Sequence, residues 1–377
     1  MKVLDIIYIR YLDALGQKMT VGGIQTYISQ LADLAVHMGY CVRIFQFADK
    51  EFQIATGENI TVFGIPVSGI EKKDKFIAQI LKTQNKLENQ YVTIFANVDN
   101  MLPKTYVPNS ICIQHGIGWD RIAYNKVPLG LRLLVRTRFA YRLIKAMKNV
   151  DEVVCVDNNF INWYRALDSH RDVQLTSIMN FTEIQPLQKR KVSDTISIVF
   201  ARRFFDYRGT RIFAPAAKRL VLKYPNLTIT FAGEGPDEKY LRDMFKDEPN
   251  IHFTQYDSRD SISFHRQFDI AVVPTTGSEG TSLSLLEAMA AGCAVVCTNV
   301  GGMTNIIIDG YNGLMVNPNS EDIFEALNQL IQDTELRSKI ALCGYDTVKS
   351  AFSLDKWKQK WARVIERHCG NTTKEMA

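Results

Sequence analysis

Two doubly wound α/β domains in series are what this chain predicts, on three observations. Short β-rich runs alternate with longer segments of helical period, the pattern of βαβ units and parallel sheets. The alternation stops and restarts across residues 185–194, a stretch with one proline, three consecutive basic residues and no apolar run, the composition of a linker. The length of 377 residues, with 46% hydrophobic and 23% charged, suits an ordinary globular chain of about two domains and excludes disorder as its main theme.

In the first half the alternation runs through a strand at 2–9, a helix at 24–38 and a strand at 41–47, with further strands at 91–96, 110–114, 152–156 and 174–179. Lys2, Asp5 and Arg10 interrupt the apolar N-terminus and no small-residue cleavage site follows, so it reads as a first strand and not a signal peptide. In the second half strands are expected at 196–200, 227–231, 251–253, 269–273 and 294–297. The expected domains are therefore 1–185 and 195–354, joined by 186–194, with a C-terminal segment 355–377. That segment places Trp357, Trp361 and Val364 at i, i+4 and i+7, one apolar stripe on a helix that must pack against something. In open α/β sheets ligands bind outside the carboxyl ends of strands, so the cleft between the two sheets is the default site.

The seven cysteines are odd in number, scattered and mostly within apolar segments, which reads as reduced thiols packed in a core rather than a disulfide or zinc framework. No run of eighteen apolar residues occurs, so no membrane-spanning helix is expected. The excess of 45 Lys+Arg over 40 Asp+Glu is too small for a dedicated nucleic-acid binder.

Two segments carry chemistry. Residues 269–291 read as a buried strand, a Thr/Gly/Ser loop and a helix opening near Ser282. The amides of Thr281, Ser282 and Leu283 at that helix start, with Gly277 and Gly280 permitting close approach, form an anion site. Glu279 and Glu287 would be repelled by a phosphate, so they suit neutral hydroxyls on either side of it. The second segment, 201–209, reads ARRFFDYRG at a strand end, where Arg203 and Arg208 suit a diphosphate and Arg202 reads as a surface charge.

These residues resemble the family 4 glycosyltransferases, nucleotide-sugar-dependent enzymes of the GT-B fold, over nearly the whole chain. The Glu279-to-Glu287 pair, the Glu-Ala-Met-Ala run from Glu287 and the stretch VGGMTNIIIDGYNGLMVNP from Val300 carry the likeness. It implies that Glu279 binds donor-sugar hydroxyls, Glu287 the ribose diol, and the amides around Ser282 and Leu283 the diphosphate. Arg203 and Arg208 correspond to the family's phosphate-binding Arg/Lys pair, with Arg202 in place of a common glycine. The loop containing Gly233 and Gly235 corresponds to one bordering the nucleobase. Gly22 and Gly23 correspond to the first loop near the donor and acceptor, His115 to a histidine beside the donor sugar, and Asn180 to an asparagine at the domain junction. The C-terminal Trp helix resembles an element that crosses back to the first domain.

The implied reaction is retaining transfer of a sugar from a UDP-, GDP- or ADP-linked donor to a glycan acceptor. Arg203, Arg208 and the helix start would meet the charge growing on the leaving diphosphate. No Asp-x-Asp metal clamp occurs, so neither metal nor cofactor is expected, and the P-loop and dinucleotide fingerprints are absent. A glycoside hydrolase using Glu279 and Glu287 would leave the arginines unexplained. A non-catalytic nucleotide-binding module would bind nucleotide without turnover.

The charge is local. Between Arg121 and Lys148 there are eight bases and no acid, and without them the +5 of the chain becomes −3. On a helix Arg138, Arg142, Lys145 and Lys148 share about a third of the circumference, opposite Ala140, Leu143, Ile144 and Met147. With Arg132 and Arg136 they form either a solvated face or a surface for an anionic membrane or a phosphate-bearing lipid carrier. The second reading suits a cytoplasmic enzyme, peripheral on the inner face of the cell membrane, that builds a lipid-linked cell-surface polysaccharide such as lipopolysaccharide or capsule.

Overall fold

The computed structural model describes residues 2–20, 22–69, 72–84, 91–116, 127–168, 173–187, 195–277 and 279–369. Most of the expected linker, Val21, Arg121 and Lys126 lie outside the described residues. The described residues form two compact units: one holds those up to Met179 together with those from Trp357 onward, the other Asn180–Lys356.

The first unit carries strands β1 (Lys2–Ile7), β2 (Tyr40–Ala48), β3 (Phe52–Gly57), β4 (Ile60–Pro66), β5 (Tyr91–Phe95), β6 (Ser110–Gln114), β7 (Glu152–Cys155) and β8 (Gln174–Ser177). Its helices are α1 (Gly23–His37), α2 (Lys72–Gln84), α3 (Val98–Met101), α4 (Leu129–Met147) and α5 (Asn158–Leu167). The strand order is β3-β4-β2-β1-β5-β6-β7-β8. The pairings are parallel except β3 with β4, which form an antiparallel hairpin. Hydrophobic patterning does not identify this hairpin, because β3 lies at the sheet edge and is mostly exposed, with no buried face to impose a period.

β1 sits inside the sheet, and Val3, Leu4, Ile6 and Ile7 are buried, which explains its nearly continuous apolar run. Its buried charge, Asp5, is fully enclosed and takes a bidentate bond from Arg43, Nε at 2.6 Å and Nη2 at 2.7 Å.

The second unit has a six-stranded, all-parallel sheet. Its strands are β9 (Ile196–Ala201), β10 (Leu227–Ala232), β11 (Ile251–Thr254), β12 (Ile270–Val273), β13 (Ala294–Thr298) and β14 (Leu314–Val316), in the order β11-β10-β9-β12-β13-β14. The helices are α6 (Thr210–Lys223), α7 (Glu238–Met244), α8 (Ser261–His265), α9 (Leu283–Ala290), α10 (Ser320–Gln332) and α11 (Thr334–Ala351). Phe200, Phe204, Phe213, Phe231 and Phe245 form an aromatic centre to its core, with the rings of Phe200 and Phe213 stacked at 5.8 Å. Side chains set two helix starts: Asn319 accepts from the Asp322 amide at 2.9 Å and Asp333 from the Leu336 amide at 2.8 Å.

The C-terminal helix α12 (Leu354–Cys369) belongs with the first unit from Trp357 onward. Its apolar stripe is buried: Trp357, Trp361 and Val364 are 2%, 0% and 1% exposed. Trp361 Nε1 donates to Tyr27 Oη at 2.7 Å, which ties α12 to α1. At its far end His368 Nε2 lies 2.9 Å from the fully buried Glu152 carboxylate, which also accepts from Arg367 at 3.1 Å. Truncating a tryptophan packed in this way costs about 3–5 kcal/mol.

Candidate functional site

In the second unit the candidate side chains gather at the carboxyl ends of β9 and β12. Arg202 follows the last residue of β9, and its side chain is 6% exposed. Its Nη2 donates to Glu279 Oε2 at 2.5 Å and its Nη1 to Thr275 Oγ1. Arg208 comes from the short 3-10 turn Asp206–Arg208 and donates Nη1 to the same Glu279 oxygen, while Thr275 Oγ1 approaches that oxygen at 3.2 Å. Three donors therefore converge on one carboxylate oxygen.

The expectation that Arg202 is a surface charge is overturned. Where the strand ends, Arg202 turns inward on the Glu279 carboxylate, and the ion pair satisfies a guanidinium that burial alone would disfavour. Arg203 takes the outward place: it is exposed, with its guanidinium 5.5 Å from the centre of the Phe205 ring. Burial alone would raise the Glu279 carboxyl, but Arg202 and Arg208 outweigh it and hold the group below the usual range. Burial lowers the Arg202 guanidinium against the pull of Glu279, whereas for Arg208 the same carboxylate outweighs burial and raises it.

Helix α9 opens at Leu283 with Ser282 as its N-cap residue. The Ser282 hydroxyl lies 3.2 Å from Ser284 Oγ and makes no capping bond, so the N-cap side chain does not occupy the first amides of the helix. Two bonds fix the loop before it. Asn180 Nδ2 donates to the Thr281 carbonyl at 2.6 Å, and the Gly302 amide donates to the Glu279 carbonyl at 3.0 Å. Gly301 has φ +56°, and a Cβ there would come within 2.1 Å of the Glu279 carbonyl oxygen. The stretch from Val300 thus acts as a backbone wall behind Glu279, Gly280 and Thr281.

The loop with Gly233 and Gly235 lies along the arginine segment. Phe204 donates its amide to the Glu234 carbonyl at 2.7 Å and accepts from the Asp237 amide at 3.0 Å. Gly235 has φ +153°, and a Cβ there would meet the Phe204 carbonyl oxygen at 2.5 Å, so what reads in sequence as a simple turn is a backbone-to-backbone contact. Glu287, one turn into α9, accepts from Ser261 Oγ at 2.6 Å, and burial raises its carboxyl. Burial, with the Glu287 charge adding to it, pushes the neighbouring Tyr256 hydroxyl up to about 12. Glu279 and Glu287 thus have opposite surroundings, one held ionised by two guanidinium groups and one facing neutral hydroxyls.

In the first unit, Gly22 caps α1 and Gly23 opens it, and Gln25 Nε2 pins the preceding loop through the Arg10 carbonyl at 3.0 Å and Thr20 Oγ1 at 2.8 Å. His115 follows β6. Burial pushes its imidazole down to about 4 despite a hydrogen bond to the Ala96 backbone, so it is neutral at pH 7. Its ring meets Tyr27 edge-on at 4.9 Å, and its buried Nε2 has no hydrogen-bond partner among the described residues.

The basic residues fall on α4. Leu143 and Met147 face the core, and Arg136, Arg138, Arg142 and Lys145 are exposed. Two residues leave the expected stripe: Lys148 lies 3.6 Å from the nearly buried Asp168, and Arg132 Nε donates to the Val127 carbonyl at 2.7 Å. Leu129, Leu131, Leu133, Leu134 and Tyr141 are 52–80% exposed among the remaining bases.

Arg202, Thr275 and Ser261 join the candidate site without having been singled out for it from the sequence, and the Gly301–Gly302 stretch, noted there only for its family likeness, proves to be its backbone wall. Nothing in the sequence signalled the inward turn of Arg202, since a charge that directly follows a strand has the same pattern whether its side chain is buried or exposed.

Residues 182–346 match the family model described as glycosyl transferases group 1. An uncharacterized glycosyltransferase of Methanocaldococcus jannaschii is 25% identical over 252 residues, 65% of this chain and 62% of that protein. The chain thus spans about three-fifths of that relative's length. The lipopolysaccharide core biosynthesis glycosyltransferase LpsE of Rhizobium meliloti is 26% identical over 239 residues, 61% of this chain and 66% of that protein. Among solved structures, Anabaena HepE in complex with UDP-glucose superposes with a TM-score of 0.70 at 16% identity, covering 97% of this chain and 100% of that one. The chain has the GT-B fold, and its second domain, over residues 182–346, carries the sequence pattern of the group 1 glycosyl transferases.

Proposed function

We propose that this protein is a retaining, metal-independent glycosyltransferase of family 4 type. It moves a sugar from a nucleoside-diphosphate donor to a lipid-linked glycan acceptor in bacterial-type cell-surface polysaccharide synthesis. The observation that carries the reading is the convergence of Arg202 and Arg208 on Glu279 beside the start of α9, where the N-cap Ser282 side chain makes no capping bond. Two guanidinium groups against one carboxylate leave one positive charge in surplus, which a diphosphate leaving group would use.

As the glycosidic bond breaks, negative charge grows on the diphosphate, where Arg208, Arg203 and the amides near Ser282 stabilise it. The departing phosphate accepts the proton of the acceptor hydroxyl, so no protein general base is required. Glu287 with Ser261 offers polar atoms for a ribose diol, and in the first unit the neutral His115 has an Nε2 with no partner among the described residues, which suits a sugar hydroxyl. The glycoside-hydrolase alternative has less support, because the Glu279 oxygen that would serve as nucleophile or base is held by two arginines.

The acceptor side rests on α4. Exposed leucines interleaved with arginines on a helix without an acid are what an anionic lipid surface binds. No helix among the described residues is long and apolar enough to cross a membrane. This reading places the protein peripherally on the cytoplasmic face. The test is incubation with UDP-, GDP- and ADP-sugars, following donor hydrolysis and thermal stabilisation by the free nucleotides. Hydrolysis of one donor class supports the reading. No nucleotide effect returns the hydrolase, and binding without turnover of any donor favours the inactive module.

A further inference from the structure

We infer that Arg202 is a positioning residue that keeps Glu279 ionised and in place when Arg208 is drawn away to the diphosphate. The inference rests on the nucleotide-sugar reading above.

The two arginines share one carboxylate oxygen but are not equivalent. Arg202 is 6% exposed against 19% for Arg208, and it is held twice, by Glu279 and by Thr275. Thr275 Oγ1 accepts from Arg202 and lies 3.2 Å from the same Glu279 oxygen, which closes a three-membered ring of contacts without Arg208. The Arg202 backbone is held as well. Its amide donates to the Ala232 carbonyl at 3.0 Å, and its carbonyl lies where a Cβ on Gly233 would come within 2.2 Å. Arg208 sits in a one-turn 3-10 segment with a more exposed side chain.

Charge decides the rest. With both guanidinium groups on Glu279 the cluster carries one surplus positive charge. A diphosphate bound there competes with Glu279 for a guanidinium, and the group free to move is the more exposed one. If Arg208 turns to the phosphate, Arg202 and Thr275 leave Glu279 as a neutral, hydrogen-bonded ion pair. Without Arg202 the same movement would strand a buried carboxylate beside an anion, a state that is stable only after the carboxylate takes up a proton.

The test is a cycle of R202M, E279Q and the double variant, with R202K as a charge-keeping control. Binding of UDP, GDP, ADP and inorganic pyrophosphate is measured by calorimetry at pH 6 and 8, in buffers of differing ionisation enthalpy. R202M should weaken diphosphate binding at pH 8 by about tenfold or more and take up about one proton on binding, with much of the affinity recovered at pH 6. In the E279Q background the same substitution should cost less than about threefold and take up no proton. R202K, which keeps the charge but not the guanidinium fork, should lose less affinity than R202M and take up no proton on binding. Equal losses in both backgrounds, or a weakened R202M without proton uptake, would make Arg202 a merely structural residue. An R202M that binds as wild type would overturn the inference alone. A wild-type protein that binds none of the four probes would remove this inference and the nucleotide-sugar reading together.

Discussion

The two basic regions of this protein use the same residue type under opposite conditions. On α4 Arg136, Arg138, Arg142 and Lys145 are exposed, have no carboxylate partner among the described residues, and are set among exposed leucines. In the second domain Arg202 and Arg208 are largely buried, fixed by hydrogen bonds and matched to one glutamate. The first arrangement acts through net charge and should be screened by salt, since exposed charges interact weakly across more than a Debye length of about 8–10 Å. The second acts through geometry in a site of low dielectric, where a guanidinium cannot be exchanged for another base without loss. Net charge recruits a surface, whereas fixed charge stabilises a particular atom as charge develops on it.

The largest expected effect that tests this contrast is Arg208→Ala, which should lower donor turnover by about 10²–10³-fold, in the range of removing one oxyanion-stabilising donor. Unchanged turnover in steady-state assays with the preferred nucleotide sugar would break the comparison at its catalytic end.

Reversal of Arg138, Arg142 and Lys145 to Glu addresses the other end. Each base near an anionic surface contributes about 1 kcal/mol, so vesicle binding should fall by roughly 100-fold or more while nucleotide affinity is unchanged. Co-sedimentation with phosphatidylglycerol vesicles reads this out, and raising the salt should mimic the variant. Salt-insensitive binding, or binding that survives the reversal, would remove the membrane reading of α4.

A third effect separates buried from exposed titrating groups. Burial pushes His115 and His265 down to about 4, so both are neutral in the folded protein at pH 7. Between about 6.5 and 4 the unfolded chain binds protons that the native chain does not, so stability falls as pH falls through that window, on the order of 1–3 kcal/mol for each histidine. Chemical denaturation at pH 7.5 and 5 measures the loss, and it should shrink in H265Q.

The smallest effect belongs to Arg219, whose exposed pair with Glu321 has both side chains about half exposed or more. Arg219→Ala should shift stability by less than about 1 kcal/mol, and a larger loss in thermal unfolding would show that exposed ion pairs here do more than their surroundings allow.

Much of the fold was legible in the residues. The alternation of apolar strands with amphipathic helices marks most of the strands, because a parallel sheet buried on both faces demands such runs. The β3–β4 hairpin was not legible, since an exposed edge strand need not alternate, and neither was β14, whose three residues are too short for a periodic signal. In the candidate site, Arg208 and the start of α9 were legible as anion-site candidates from their residue types, and Glu279 and Glu287 as candidates for neutral hydroxyls beside it. The inward turn of Arg202 was not, because a charge after a strand reads alike whether it meets water or a buried carboxylate.

The sequence by itself determined two α/β domains, a glutamate pair about the start of a helix, and a basic segment that holds more than the net charge of the chain. Those features are local, set by period, spacing and composition. Only the tertiary structure decided which arginine is buried on Glu279 and which faces solvent, that Lys148 is committed to Asp168, and that leucines stand exposed among the α4 bases. The physical reason is that a charge acquires its role from its surroundings: what desolvates it and what lies within hydrogen-bond reach are settled by residues distant in sequence.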